Sequence, residues 1–79
     1  MNKRMKFISL NIGIITISDT RSEENDKSGK VLYDAIIDSK HNVFNKIIVP
    51  DNIDQIRECI ISWIKTNNVD VIISTGGTG

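Results

Sequence analysis

Residues Ile12 to Ile17 read "IGIITI", a short apolar run in which nearly every side chain is β-branched. A strand with water on one face alternates apolar and polar residues, whereas this one offers no polar face. The run therefore suits a strand covered on both sides, as in a parallel sheet with helices above and below it. That requirement restricts what the rest of the chain can be.

The remainder supplies the covering elements. From about Ser28 to Ser39, Val31, Leu32, Ala35 and Ile36 fall on one face of a predicted helix, with Asp26 or Ser28 able to cap its N-terminus. "VFNKIIV", Val43 to Val49, returns to strand character, and Pro50 ends it because proline cannot donate to a central ladder. In "DNIDQI", Asn52 can cap a second helix, with Gln55 three residues on and Asp54 in the positive first turn. Ile53, Ile56, Ile60, Trp63 and Ile64 are its expected buried stripe, Asn67 and Asn68 its stop, and "VDVIIS", Val69 to Ser74, a third strand.

The order strand, helix, strand, helix, strand predicts an α/β fold with right-handed crossovers, in which ligands gather beyond the carboxyl ends of the strands. Residues 1–79 allow one domain at most, one that buries only about 60 to 65% of its unfolded surface. With no net charge at pH 7, the composition suggests neither nucleic acid nor an anionic membrane as partner. The single cysteine, Cys59, rules out an internal disulfide and fits a reducing cytoplasm; it reads as packing, and His41 as a surface-turn residue. The N-terminal "MNKRMKFISL" superficially resembles a secretory signal. Lys6, Ser9 and Asn11 interrupt it, no small-residue cleavage site comes after it, and a buried strand explains the run better. No apolar run reaches the roughly eighteen residues of a transmembrane helix.

Three loops are expected at one edge. "STGGTG" places Gly76, Gly77 and Gly79 where the third strand ends, so that backbone N–H groups and the Thr75 and Thr78 hydroxyls can surround an anion; a plain tight turn explains it too. Neither the Walker A pattern nor the dinucleotide fingerprint fits. Ser18, Asp19 and Thr20 come after the first strand and Asp51 after the second. Each reads equally well as turn chemistry or as a phosphate- or magnesium-directed group. Glu23, Glu24 and Asp26 read as a solvated acidic loop, and Trp63 as core.

Taken in order, "TISDTRSEENDKSG", "VPDN" and "DVIISTGGTG" resemble the MoaB/Mog family of molybdenum-cofactor biosynthesis proteins over Asn11 to Gly79. The resemblance implies a three-layer α/β sandwich with a mostly parallel sheet, assembled as a trimer or a dimer of trimers in the cytoplasm. It implies binding of molybdopterin, a pterin with a dithiolene and a terminal phosphate. In the adenylyltransferase branch that phosphate attacks the α-phosphate of magnesium-bound ATP, giving adenylyl-molybdopterin and pyrophosphate. Thr75, Gly76, Gly77, Thr78 and Gly79 match the family's ligand-binding glycine loop, and Ser18, Asp19 and Thr20 its first-strand loop. Asp51 matches an aspartate implicated in catalysis, here expected to hold magnesium or orient a phosphate. The family's glycine loop runs on into an arginine-aspartate segment with a second catalytic aspartate and further elements, which this sequence lacks. The expectation is thus the N-terminal part of one domain, a fragment inactive alone in adenylylation. A non-catalytic pterin-binding or scaffold module is an alternative, and a flavodoxin-like or response-regulator-like domain is disfavoured by the glycine-rich third loop.

Overall fold

Side chains alternate along the first strand, and each face of it meets a different helix. The computed structural model describes residues 7–20 and 26–76. Its elements are β1 (Asn11–Ile17), α1 (Lys27–Asp38), β2 (Asn42–Val49), α2 (Ile53–Thr66) and β3 (Val71–Gly76). The sheet is parallel in the order β2-β1-β3, so β1 is central, as a run without a polar face requires. Ile12 and Ile14 pack with Ile36 of α1, flanked by Leu32, Val43 and Ile73. Ile15 packs on the opposite face with Val49 and Trp63 of α2, flanked by Ile17, Ile47, Ile56 and Ile60. Two helical layers thus enclose the sheet, and Ile14 and Ile15 are wholly buried.

Gly13 lies where Trp63 closes on β1: a Cβ there would stand 2.4 Å from Trp63 Cζ3. The six-membered ring of the indole can approach the strand this closely only because position 13 has no side chain. Phe44 completes that corner, edge-on to Trp63 with ring centroids 5.5 Å apart. Val43 faces α1 and Phe44 faces α2, as strand alternation dictates. A bulge comes next: Ile12 stands opposite Val43 and Gly13 opposite Asn45, which brings Lys46 opposite Ile14, on the α1 side.

The helix ends obey local chemistry. Asp26 caps α1 by accepting from the Gly29 N–H, and Asn52 caps α2 by accepting from the Gln55 N–H at 3.0 Å. α2 stops at Asn67, which takes the left-handed conformation with φ 60°.

Several expectations need correction. β3 begins two residues later and ends two residues later than Val69 to Ser74, because Thr75 and Gly76 remain paired to Thr16 and Ile17. Ile53 and Ile64 belong to the expected stripe of α2 but are 72% and 60% exposed, and Val31 and Ala35 of α1 are exposed as well. Only the part of each stripe directly above β1 and its neighbours finds apolar partners. His41 is half-buried: its Nδ1 accepts the Leu10 N–H at 3.0 Å, tying the start of β2 to the approach of β1. Among the described residues, no helix is long and apolar enough to cross a membrane.

Candidate functional site

The carboxyl ends of all three strands lie side by side, because β1 pairs in parallel register with both neighbours up to Ile17, Val49 and Gly76. The loops leaving the strands therefore share one edge. Ser18 leaves β1 with its N–H still bonded to Val49 O at 2.9 Å, and the Thr20 N–H donates back to Ser18 Oγ at 3.2 Å. Asp19 then reaches across: its Oδ1 accepts the Asp51 N–H at 3.0 Å. Asp19 and Asp51 thus stand next to each other, both exposed to solvent.

Thr75 and Gly76 are the last two residues of β3, not the first two of a loop. Thr75 is half-buried beside Thr16, and Gly76 has φ +86°. A Cβ on Gly76 would sit 2.5 Å from the Ile17 carbonyl oxygen, so glycine is needed both for the left-handed turn and for the close approach of the two strand ends. Gly77, Thr78 and Gly79 lie outside the described residues, as do Glu23 and Glu24 of the acidic loop.

Asp26 departs from the solvated reading. It is 3% exposed and Thr16 is fully buried, and Thr16 Oγ1 donates to Asp26 Oδ2 at 2.7 Å. The Gly29 N–H donates to Asp26 Oδ1 at 3.0 Å, Ser28 Oγ lies 3.4 Å from the same oxygen, and Lys46 Nζ is 3.6 Å from Oδ2. Burial pushes the Asp26 carboxyl up. The Thr16 hydroxyl, the Gly29 N–H and the Lys46 ammonium outweigh it, holding the pKa below its ordinary 3.8. Gly29 is constrained by the same cluster, since a Cβ there would fall 2.2 Å from Asp26 Oδ2.

The sequence does carry signals for this cluster: Thr16 is the one hydroxyl inside the apolar run of β1, and Asp26 precedes Gly29 by the three residues of an N-cap. Lys46 gives none, since a lysine in a strand reads as solvent-facing. Cys59 packs beside Trp63 as expected, with burial raising its thiol pKa, so it stays protonated and inert. Among the described residues, no three His, Cys, Asp or Glu side chains come together as a metal site.

Comparison with known proteins identifies the family. A family profile described as "Probable molybdopterin binding domain" matches residues 13–79, from the middle of β1 through the glycine segment. The chain belongs to this molybdopterin-binding domain family. Molybdenum cofactor biosynthesis protein B of Escherichia coli (strain K12) is 42% identical over 74 residues, covering 94% of this chain and 44% of that protein. Its Bacillus cereus namesake is 41% identical over 66 residues, covering 84% and 39%. Molybdenum cofactor synthesis protein cinnamon of Drosophila melanogaster is 40% identical over 75 residues, 90% of this chain and 12% of that one.

The same family accounts for the fold. A crystal structure of molybdenum cofactor biosynthesis protein B matches with a TM-score of 0.85 at 38% identity, covering 91% of this chain and 45% of that chain. The chain spans less than half the length of the curated relatives named here. Membership in the molybdopterin-binding family is the membership that the loop residues Ser18 to Thr20, Asp51 and Thr75 to Gly79 implied.

Proposed function

We propose that this chain serves molybdenum-cofactor biosynthesis and binds molybdopterin at the carboxyl edge of its sheet. The observation that carries the reading is the union of the Asp19–Asp51 bridge with the Thr75-Gly76 strand end on one edge of a molybdopterin-binding family fold. The terminal phosphate of the pterin needs oriented N–H and hydroxyl donors, and the glycine segment from Thr75 through Gly76, Gly77, Thr78 and Gly79 is the group of residues suited to provide them. Ser18 and Thr20 add hydroxyls from the neighbouring loop.

For the intact family domain, the proposed reaction is adenylylation. A phosphate oxygen of molybdopterin attacks the α-phosphorus of ATP, a P–O bond forms, the bond to the bridging oxygen breaks, and pyrophosphate leaves. Such transfers depend on positioning and charge neutralisation and need no nucleophilic side chain. Magnesium fits the residues present, because it is commonly held by one or two carboxylates together with substrate phosphates, and Asp51 stands beside Asp19. When bound there, the ion would neutralise charge on the ATP phosphates. Asp51 is the residue proposed to hold it, with Asp19 fixing the Asp51 backbone. The working assembly is proposed to be a cytoplasmic homotrimer or homohexamer.

Equilibrium dialysis tests the reading. The chain should bind molybdopterin saturably, and magnesium with ATP should change that affinity in a way that Asp51→Asn abolishes. Absence of saturable pterin binding would refute the function; an unchanged magnesium effect in Asp51→Asn would remove Asp51 from its role.

A further inference from the structure

The loop bearing Ser18, Asp19 and Thr20 leaves the sheet after Ile17 and enters α1 at Lys27. A short bond joins its two ends: Thr16 Oγ1 donates to Asp26 Oδ2 at 2.7 Å, between residues ten apart in sequence. Closing a span of that length costs conformational entropy, which a bond between its two ends helps to offset. Both partners are buried, which removes water as a competitor for the bond.

An N-cap by itself does not explain a buried charge at position 26. Capping needs one oxygen, and Oδ1 supplies it to Gly29. The second oxygen is directed elsewhere, to the Thr16 hydroxyl and the Lys46 ammonium. Gly29 leaves room for that second oxygen, since a Cβ would lie 2.2 Å from Oδ2 and 3.0 Å from Thr16 Oγ1. Thr16 in turn pairs with Thr75 across the sheet and lies one residue before the loop departs. The carboxylate therefore grips β1, β2 and α1 at the point where the ligand-bearing edge begins.

We propose that Asp26 is a positioning residue: its bond to Thr16 cinches the β1–α1 loop and holds Ser18, Asp19 and Thr20 in their binding arrangement, without itself touching ligand. Its burial keeps it from the ligand, and its action runs through Thr16. The identity of the ligand as molybdopterin rests on the function proposed above; the cinch itself does not.

Amide hydrogen exchange on the ligand-free chain reads the cinch. The Thr20 N–H, bonded to Ser18 Oγ, and the Asp51 N–H, bonded to Asp19 Oδ1, report the loop; the Gln55 N–H, bonded to Asn52 Oδ1, reports an unrelated cap. Asp26→Asn should speed exchange at Thr20 and Asp51 about tenfold while Gln55 changes less than about twofold. Equal acceleration at all three amides, or none at the first two, overturns the proposal. If Asp26→Asn does not fold, Thr16→Val, close in shape and lacking the hydroxyl, is read by the same comparison. With molybdopterin as probe, Thr16→Val should bind about tenfold more weakly and Thr16→Ser within about twofold of the parent. A folded Thr16→Val that binds like the parent also overturns it. A parent that binds no molybdopterin refutes the assigned ligand, while the exchange result still decides the cinch.

Discussion

At the scale of single residues, Asp26 links stability to pH. Its pKa in the folded chain is below the ordinary 3.8, so the folded state favours the ionised form more than the unfolded state does. The contribution is fully present above that ordinary value and is lost as pH falls through it toward the lower folded value. Urea melts taken from pH 6 downward should show the chain losing more stability below about pH 4 than Asp26→Asn does, because the amide does not titrate. Parallel pH profiles for the two proteins would contradict the assignment. Gly13 carries a second expectation. A methyl group there collides with the six-membered ring of Trp63, and Gly13→Ala should destabilise by about 1–3 kcal/mol through overpacking, measured as a lower urea midpoint at unchanged slope. The capping role of Asp26 and the lone hydroxyl of Thr16 are legible in the sequence, whereas the burial of Asp26 and the contact of Gly13 with Trp63 are not. Periodicity assigns Thr16 and Gly13 to a strand, but which helix residue reaches them depends on how the layers pack, and Lys46 is brought to the α1 side by the bulge in β2.

Among the elements, the central strand is the most legible, because an apolar run without alternation admits few placements. Helix ends are also readable where a side chain does the capping. Asn52 bonds the Gln55 N–H, so Asn52→Ala should cost about 1 kcal/mol and Asn52→Asp much less, as measured by chemical denaturation. The buried stripes are narrower than their periodicity suggests. Ile53, in the first turn of α2, and Ile64, near its end, share the sequence pattern of Ile56 and Ile60 without sharing their burial. The end of β3 is hidden for a related reason: glycine and threonine read as loop residues, yet parallel pairing with β1 carries the strand through Thr75 and Gly76. The bulge at Phe44 has no sequence signal, since "VFNKIIV" places apolar residues on both faces at either register.

For the whole molecule, a parallel sheet puts the ends of its strands on one edge, which is why loops distant in sequence can be assigned to a shared site from their order alone. The same geometry leaves apolar surface uncovered: Phe7, Ile8, Val31, Ile53 and Ile64 are all exposed. Such surface favours association, so sedimentation velocity should show the chain's apparent mass rising with concentration, and Ile53→Lys combined with Ile64→Lys should reduce that rise. A concentration-independent monomer would contradict this expectation. The central claim, that the carboxyl edge binds molybdopterin, is tested most directly by titrating the isotopically labelled chain with molybdopterin and tracking its amide resonances. Saturable shifts are expected at Ser18, Asp19, Thr20, Asp51, Thr75 and Gly76; no saturable shifts, or shifts gathered at the opposite edge around Leu10, Asn42 and Asp70, would contradict the account.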